Sequence, residues 1–96
     1  MVGLEVIVRV HPYRRVEFLQ AVRMVTDPAH PNTGCAGQCL FEDVGEPNRF
    51  LWMERWSGSD HLNEYMRTDR FRSLLGAFSV VGSIEEMHVT DLLPAA

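Results

Sequence analysis

The chain opens on a clean two-residue alternation. Leu4, Val6, Val8 and Val10 lie on one side, with Glu5, Ile7 and Arg9 on the other. That period predicts a half-buried strand. His11-Pro12 ends it, because proline has no amide hydrogen for a ladder. From Tyr13 to Val25 the period changes. Phe18, Ala21, Val22 and Val25, widened by Leu19, follow helical spacing, and Arg14, Arg15, Glu17 and Arg23 fill the rest. Thr26 to Thr33 holds two prolines, an aspartate and an asparagine and reads as a loop. Gly34 to Val44 reads as a second strand, with Cys35, Cys39 and Phe41 on one parity and Ala36, Leu40 and Val44 on the other. Gly37, inside that run, marks a bulge or a close backbone approach.

Gly45-Glu46-Pro47-Asn48 has the composition of a hairpin turn. It leads into a third strand, Arg49 to Trp56, that is apolar on both sides. Phe50, Trp52 and Trp56 share one face; Leu51 and Met53 share the other. A strand apolar on both faces must be covered on both. Ser57 and Asp60 stand at capping-box spacing and predict a helix start. Leu62, Tyr65 and Met66 form its inward stripe. Thr68 reads as a second cap, before Phe71, Leu74, Leu75 and Phe78 at helical spacing, with Gly76 and Gly82 bracketing the exit. Ile84 to Leu92 is the last strand, and Pro94-Ala95-Ala96 a tail. Strand, helix, strand, strand, helix pair, strand is the order of an α+β, ferredoxin-like β-α-β-β-α-β sandwich: a four-stranded antiparallel sheet with helices on one face. The helices suffice for that face only, so the other is expected to be covered by a second copy.

Composition narrows the picture. Ninety-six residues make a single domain over 1–96. Nine basic and 13 acidic residues give a net charge of −4, without the basic patch that nucleic-acid binding requires. No apolar run approaches the roughly 20 residues that span a bilayer. Met1 to Val10 carries Glu5 and Arg9 and is not read as a signal peptide, so a cytoplasmic location is expected. On one strand face, Cys35 and Cys39 would stand roughly 13 Å apart at about 3.3 Å per residue. A disulfide needs under about 7 Å. The pair therefore reads as two free thiols. His11, His30, His61 and His88 are scattered, and no metal site is expected.

The strand-helix order, the Gly34-Cys35 opening of the second strand, Glu54-x-Trp56 before a helix, and Leu62-x-x-Tyr65-x-x-Thr68-x-x-Phe71 together resemble the antibiotic biosynthesis monooxygenase domains of the dimeric α/β-barrel superfamily. The resemblance implies sheets paired face to face in a homodimer, and a pocket between sheet and helices in each subunit. It implies oxidation of an electron-rich aromatic or quinol without a cofactor. Haem-degrading members use an asparagine, a tryptophan and a histidine where this chain has Val6, Tyr65 and Leu75. Leucine cannot ligate iron, which argues against haem degradation. Quinol-oxidising members often carry histidine where Tyr65 stands.

Such chemistry asks for an apolar pocket, a base and a donor that stabilises a developing anion. His88, between Met87 and Val89, is the candidate base. Tyr65 is the candidate catalytic hydrogen-bonding partner for a phenol. Trp52, Glu54, Met66, Phe71 and Leu75 are the candidate substrate-binding residues. A carboxylate on the Trp52 face must be paired or face a cavity, and Arg9 or Arg55 is the candidate partner for Glu54. The alternative reading is a non-catalytic dimeric barrel that binds a small apolar ligand.

Overall fold

The computed structural model describes residues 1–26 and 34–92. Strand β1 (Val2–Val10) is followed by a 3-10 turn (Pro12–Arg14) and helix α1 (Arg15–Val25). Strands β2 (Cys35–Glu42) and β3 (Arg49–Trp56) form a hairpin. Helices α2 (Ser59–Met66) and α3 (Asp69–Val81) lead to β4 (Gly82–Asp91). The sheet order is β2-β3-β1-β4, antiparallel throughout. This is the expected ferredoxin-like arrangement. Most of the expected loop at Thr26 to Thr33, and the tail, lie outside the described residues. Among those residues no helix is long and apolar enough to cross a membrane.

The alternations read from sequence sort the two faces of the sheet. Leu4, Val6, Val8 and Val10 of β1 meet Phe50, Trp52 and Trp56 of β3 beneath the helices. Phe18 and Val22 of α1 and Phe71, Leu74, Phe78 and Val81 of α3 close the core from above. Aromatic rings run through it: Phe18 lies 4.8 Å from Phe50 and 5.4 Å from Phe78, centroid to centroid. The opposite face has no covering element among the described residues. It presents Ile7, Leu51 and Met53, half-buried by their neighbours, with Cys39 and Phe41 exposed. A depression of about 290 Å³ there is lined by Ile7, Phe41 and Leu51 and edged by Asp43 and Arg49.

At one end of this face charges are paired. Arg9 reaches Glu46 and Glu85, each at 2.9 Å, and Arg49 reaches Asp43 at 3.2 Å. The hairpin turn is built by Asp43, whose Oδ1 accepts from the amides of Gly45 (2.7 Å) and Glu46 (3.1 Å). Asn48 takes φ 69°, a conformation asparagine tolerates better than most residues.

Several expectations are corrected. Residues Pro12–Arg14 form a 3-10 turn, so α1 starts at Arg15, not Tyr13. The box of Ser57 and Asp60 does not form: Gly58 is the N-cap of α2, and no side chain bonds there. Thr68 does cap α3, its Oγ1 accepting from the Phe71 amide at 3.2 Å. Gly76 lies inside α3 rather than at its exit, since the helix runs on to Val81. The bulge expected near Gly37 is present: Cys35 faces Trp56, yet Gly37 faces Arg55, the next residue. Ala36 is therefore surplus, and the parity of β2 breaks there. Cys35 falls on the helix side with Trp56. Cys39, opposite Met53, falls on the open side, so the two thiols do not share a face.

Candidate functional site

The site grows from one alternation in β3. Trp52, Glu54 and Trp56 occupy successive inward positions, so the carboxylate stands between two indoles. All three are sealed, at 0%, 0% and 1% exposure. An indole N–H only donates, and a carboxylate only accepts. The Trp52 Nε1 donates to Glu54 Oε2 at 2.7 Å, and the Trp56 Nε1 donates to Oε1 at 3.0 Å. Helix α2 brings Tyr65 down from above. Its hydroxyl donates to Oε2 at 3.3 Å, and its ring lies 4.6 Å from Trp56. Phe71 at the start of α3 meets the Tyr65 ring edge-on at 5.3 Å. Met66 and Leu75 pack half-buried against the same core.

Across the hairpin, Gln38 of β2 stands directly opposite Glu54. Its amide lies near enough to favour the ionised carboxylate. The Gln38 Nε2 atom is nevertheless buried without completing a hydrogen bond among the described residues.

No cation neutralises Glu54 by an ion pair among the described residues. The expected partners are elsewhere. Arg9 is committed to Glu46 and Glu85, and Arg55 projects on the open face above Gly37. The Glu54 pKa is raised by burial, against the opposing pull of Trp52, Trp56, Tyr65 and Gln38. Burial, then the charge of Glu54, pushes the Tyr65 phenol well above its ordinary value, so Tyr65 stays a donor. Cys35 is likewise raised, by burial first. A raised carboxylate pKa moves its basicity toward neutral pH, where a general base works best. Oε1 has one donor and Oε2 two, so Oε1 keeps more capacity to take a proton.

Of the residues singled out in the sequence, Trp52, Glu54, Tyr65 and Phe71 come together. His88 does not join them. It faces Glu5 across β1, on the open side of the sheet, with Nε2 3.8 Å from Glu86. The sheet stands between His88 and Tyr65. Two members were not among the candidate site residues: Trp56, placed only on the β3 face and in the Glu54-x-Trp56 pattern, and Gln38. The hairpin register would have found Gln38, since every facing pair from Gln38–Glu54 to Glu42–Phe50 follows from the turn. Among the described residues, no group of three or more His, Cys, Asp or Glu side chains is arranged to hold a metal ion.

A family model described as antibiotic biosynthesis monooxygenase matches residues 1–75. The Bacillus subtilis (strain 168) protein "Putative monooxygenase YcnE" is 29% identical over 75 residues, 78% of this chain and 79% of that protein. Among solved structures, SnoaB of Streptomyces nogalater, described as a cofactor-independent oxygenase, superposes with a TM-score of 0.83. It is 14% identical, over 98% of this chain and 94% of its own. A Deinococcus radiodurans structure, "a putative antibiotic biosynthesis monooxygenase", gives 0.82 at 15% identity, over 100% and 96% of the two chains.

Proposed function

Because the chain belongs to the antibiotic biosynthesis monooxygenase family, we propose that it is a cofactor-independent monooxygenase of an electron-rich aromatic or quinol. The reaction takes place between sheet and helices, with Glu54 as base. The observation that carries this reading is a sealed carboxylate held by two indoles and a phenol, with no ion pair to a cation. Burying a charge without an ion pair costs free energy, so packing alone does not favour it. The similarity to SnoaB, itself described as a cofactor-independent oxygenase, agrees with the reading.

In the proposed step Glu54 Oε1 takes the proton of a substrate hydroxyl. The resulting anion is electron-rich enough to reduce dioxygen. One oxygen atom enters the ring; the other leaves as water with two hydrogens from the substrate. All four electrons come from the substrate, so no external reductant is required. Tyr65 and the two indoles fix the carboxylate, and Met66, Phe71 and Leu75 supply apolar walls. The site is closed in this structure, so a substrate is admitted by movement of α2, which carries Tyr65 and has no side-chain cap. His88, on the far face, is left outside this step.

The open face supports a homodimer formed through the sheet. Ile7, Leu51, Met53, Cys39 and Phe41 make a continuous apolar surface that a second copy would cover. Two unpaired thiols accord with a reducing, cytoplasmic setting. Sedimentation tests the assembly: a dimer is expected, and Met53→Glu should yield monomers. A folded wild-type monomer at micromolar concentration would remove this part of the reading.

Oxygen uptake tests the chemistry, with hydroquinones, anthrones and dihydroxynaphthalenes offered without metal or flavin. Glu54→Gln should abolish uptake, Tyr65→Phe should slow it, and His88→Ala should leave it unchanged. The closure of the site favours a second reading, a non-catalytic barrel that binds a small apolar ligand. Ligand-induced thermal stabilisation with no uptake across the panel would select it.

A further inference from the structure

Gln38 is the one polar residue of the site left incomplete. It sits on β2, at the edge of the sheet, and is itself only half-buried. Its Nε2 is hidden, has no hydrogen-bond partner among the described residues, and lies on the Glu54 side of the hairpin. A buried donor without a partner is unfavourable, and native chains satisfy nearly all of them. Glu54 directly opposite is the complementary group, an acceptor with room for one more hydrogen bond at Oε1. Facing residues on one side of an antiparallel pair stand about 5 Å apart. The two groups therefore set a donor beside an acceptor, available to two neighbouring oxygens of one small molecule once α2 opens the site.

We infer that Gln38 sets the substrate class: a ring bearing two oxygens on adjacent carbons. One hydroxyl faces Glu54 and gives up its proton. The neighbouring oxygen, a hydroxyl or a carbonyl, accepts from Gln38 Nε2. A single hydroxyl leaves the amide unpaired, and oxygens on opposite sides of the ring cannot reach both groups. The inference rests on the reading of Glu54 as the base, and it names that site's specificity.

Trp52 and Trp56 are the only tryptophans in the chain, and both touch Glu54. Their emission reports occupancy of this site without any turnover. Anaerobic titration with catechol and with hydroquinone is the experiment. Wild type is expected to bind catechol about tenfold more tightly, the worth of one hydrogen bond to a charged or polarised group. Gln38→Leu should lose that tenfold for catechol and leave hydroquinone unchanged. Its melting temperature should change little, because the amide completes no hydrogen bond and only its proximity to Glu54 is lost. Gln38→Met serves if the leucine variant does not fold.

Equal binding of the two diphenols, a preference that survives in Gln38→Leu, or no quenching by either would overturn the inference. So would a clear loss of stability in Gln38→Leu, which would assign the amide to a bridging water. Oxygen uptake separates this from the parent reading. A Gln38-dependent catechol preference without uptake keeps the binding site and sinks the oxygenase. Uptake that ignores Gln38 does the reverse.

Discussion

Glu42 and Glu54 stand at opposite ends of β2 and β3, and the chain treats them in opposite ways. Glu42 is exposed and answered by a full charge: Arg15 of α1 bonds both of its oxygens, and the Asn48 amide adds a bond at 2.9 Å. The Arg15 hydrogen bonds, then the Asn48 amide, hold its pKa down at about 2. Glu54 is sealed and answered only by neutral donors, and its pKa is raised. The first arrangement is an ion pair that ties α1 to the hairpin. The second keeps a carboxylate ready to accept a proton. Identical side chains thus serve attachment in one place and, in the proposed reaction, proton transfer in the other.

Substitutions at the buried end should break the comparison most strongly. Glu54→Leu strands two indole N–H groups and the Tyr65 hydroxyl. Urea unfolding should show a loss of about 3 kcal/mol, the scale of several unsatisfied buried donors. Glu54→Gln keeps the shape but turns an amide N–H toward one donor, and should cost about 1–3 kcal/mol. Tyr65→Phe removes only the longest of the three bonds and should cost about 0.5–1 kcal/mol. Glu42→Gln should cost least of the four, a small loss on the scale of exposed ion pairs in the same assay.

Acidity sharpens the same contrast, because the two shifts have opposite signs. The folded pKa of Glu42 is depressed. Its stabilising contribution is whole above the unfolded value of 4.5 and is lost as pH falls through about 2. The folded pKa of Glu54 is raised. Its contribution is whole below the unfolded value and declines as pH rises through the folded one. Urea midpoints across a pH series should therefore show the wild type losing its advantage over Glu42→Gln on acidification. Its advantage over Glu54→Gln should instead shrink on raising the pH above 4.5. A parallel pH dependence of the two differences would contradict the assignment.

The sheet was legible in the sequence because strand period and burial go together. Leu4, Val6, Val8 and Val10 alternate and are buried, and β3 starts and ends at Arg49 and Trp56 as read. The two-sided character of β3 likewise identified the uncovered face. Helix ends were less legible. Ser57 has a capping side chain, but the backbone turns inward one residue later, at Gly58, which has none to offer. Gly76 looked like punctuation, yet inside α3 its missing side chain leaves open space and does not stop the helix.

The site was half legible. Trp52, Glu54 and Tyr65 were named from residue type and position. Which face His88 occupies could not be read, because β4 slips register against β1 between Ile7 and Val8 and parity does not carry across the slip. Gln38 carries no distinctive local pattern. The role proposed for it rests on register, which places it against Glu54, and on a hydrogen bond it fails to make.

The extra residue at Ala36 has a consequence for how this chain can vary in length. From Gln38 to Glu42 every facing partner is set from the turn, and Cys35 meets Trp56 on the far side of the surplus. Ala36 is therefore a spare link. A chain lacking it could keep all these cross-strand neighbours, while a deletion anywhere between Gln38 and Glu42 would shift some of them by one place and turn their side chains to the wrong side.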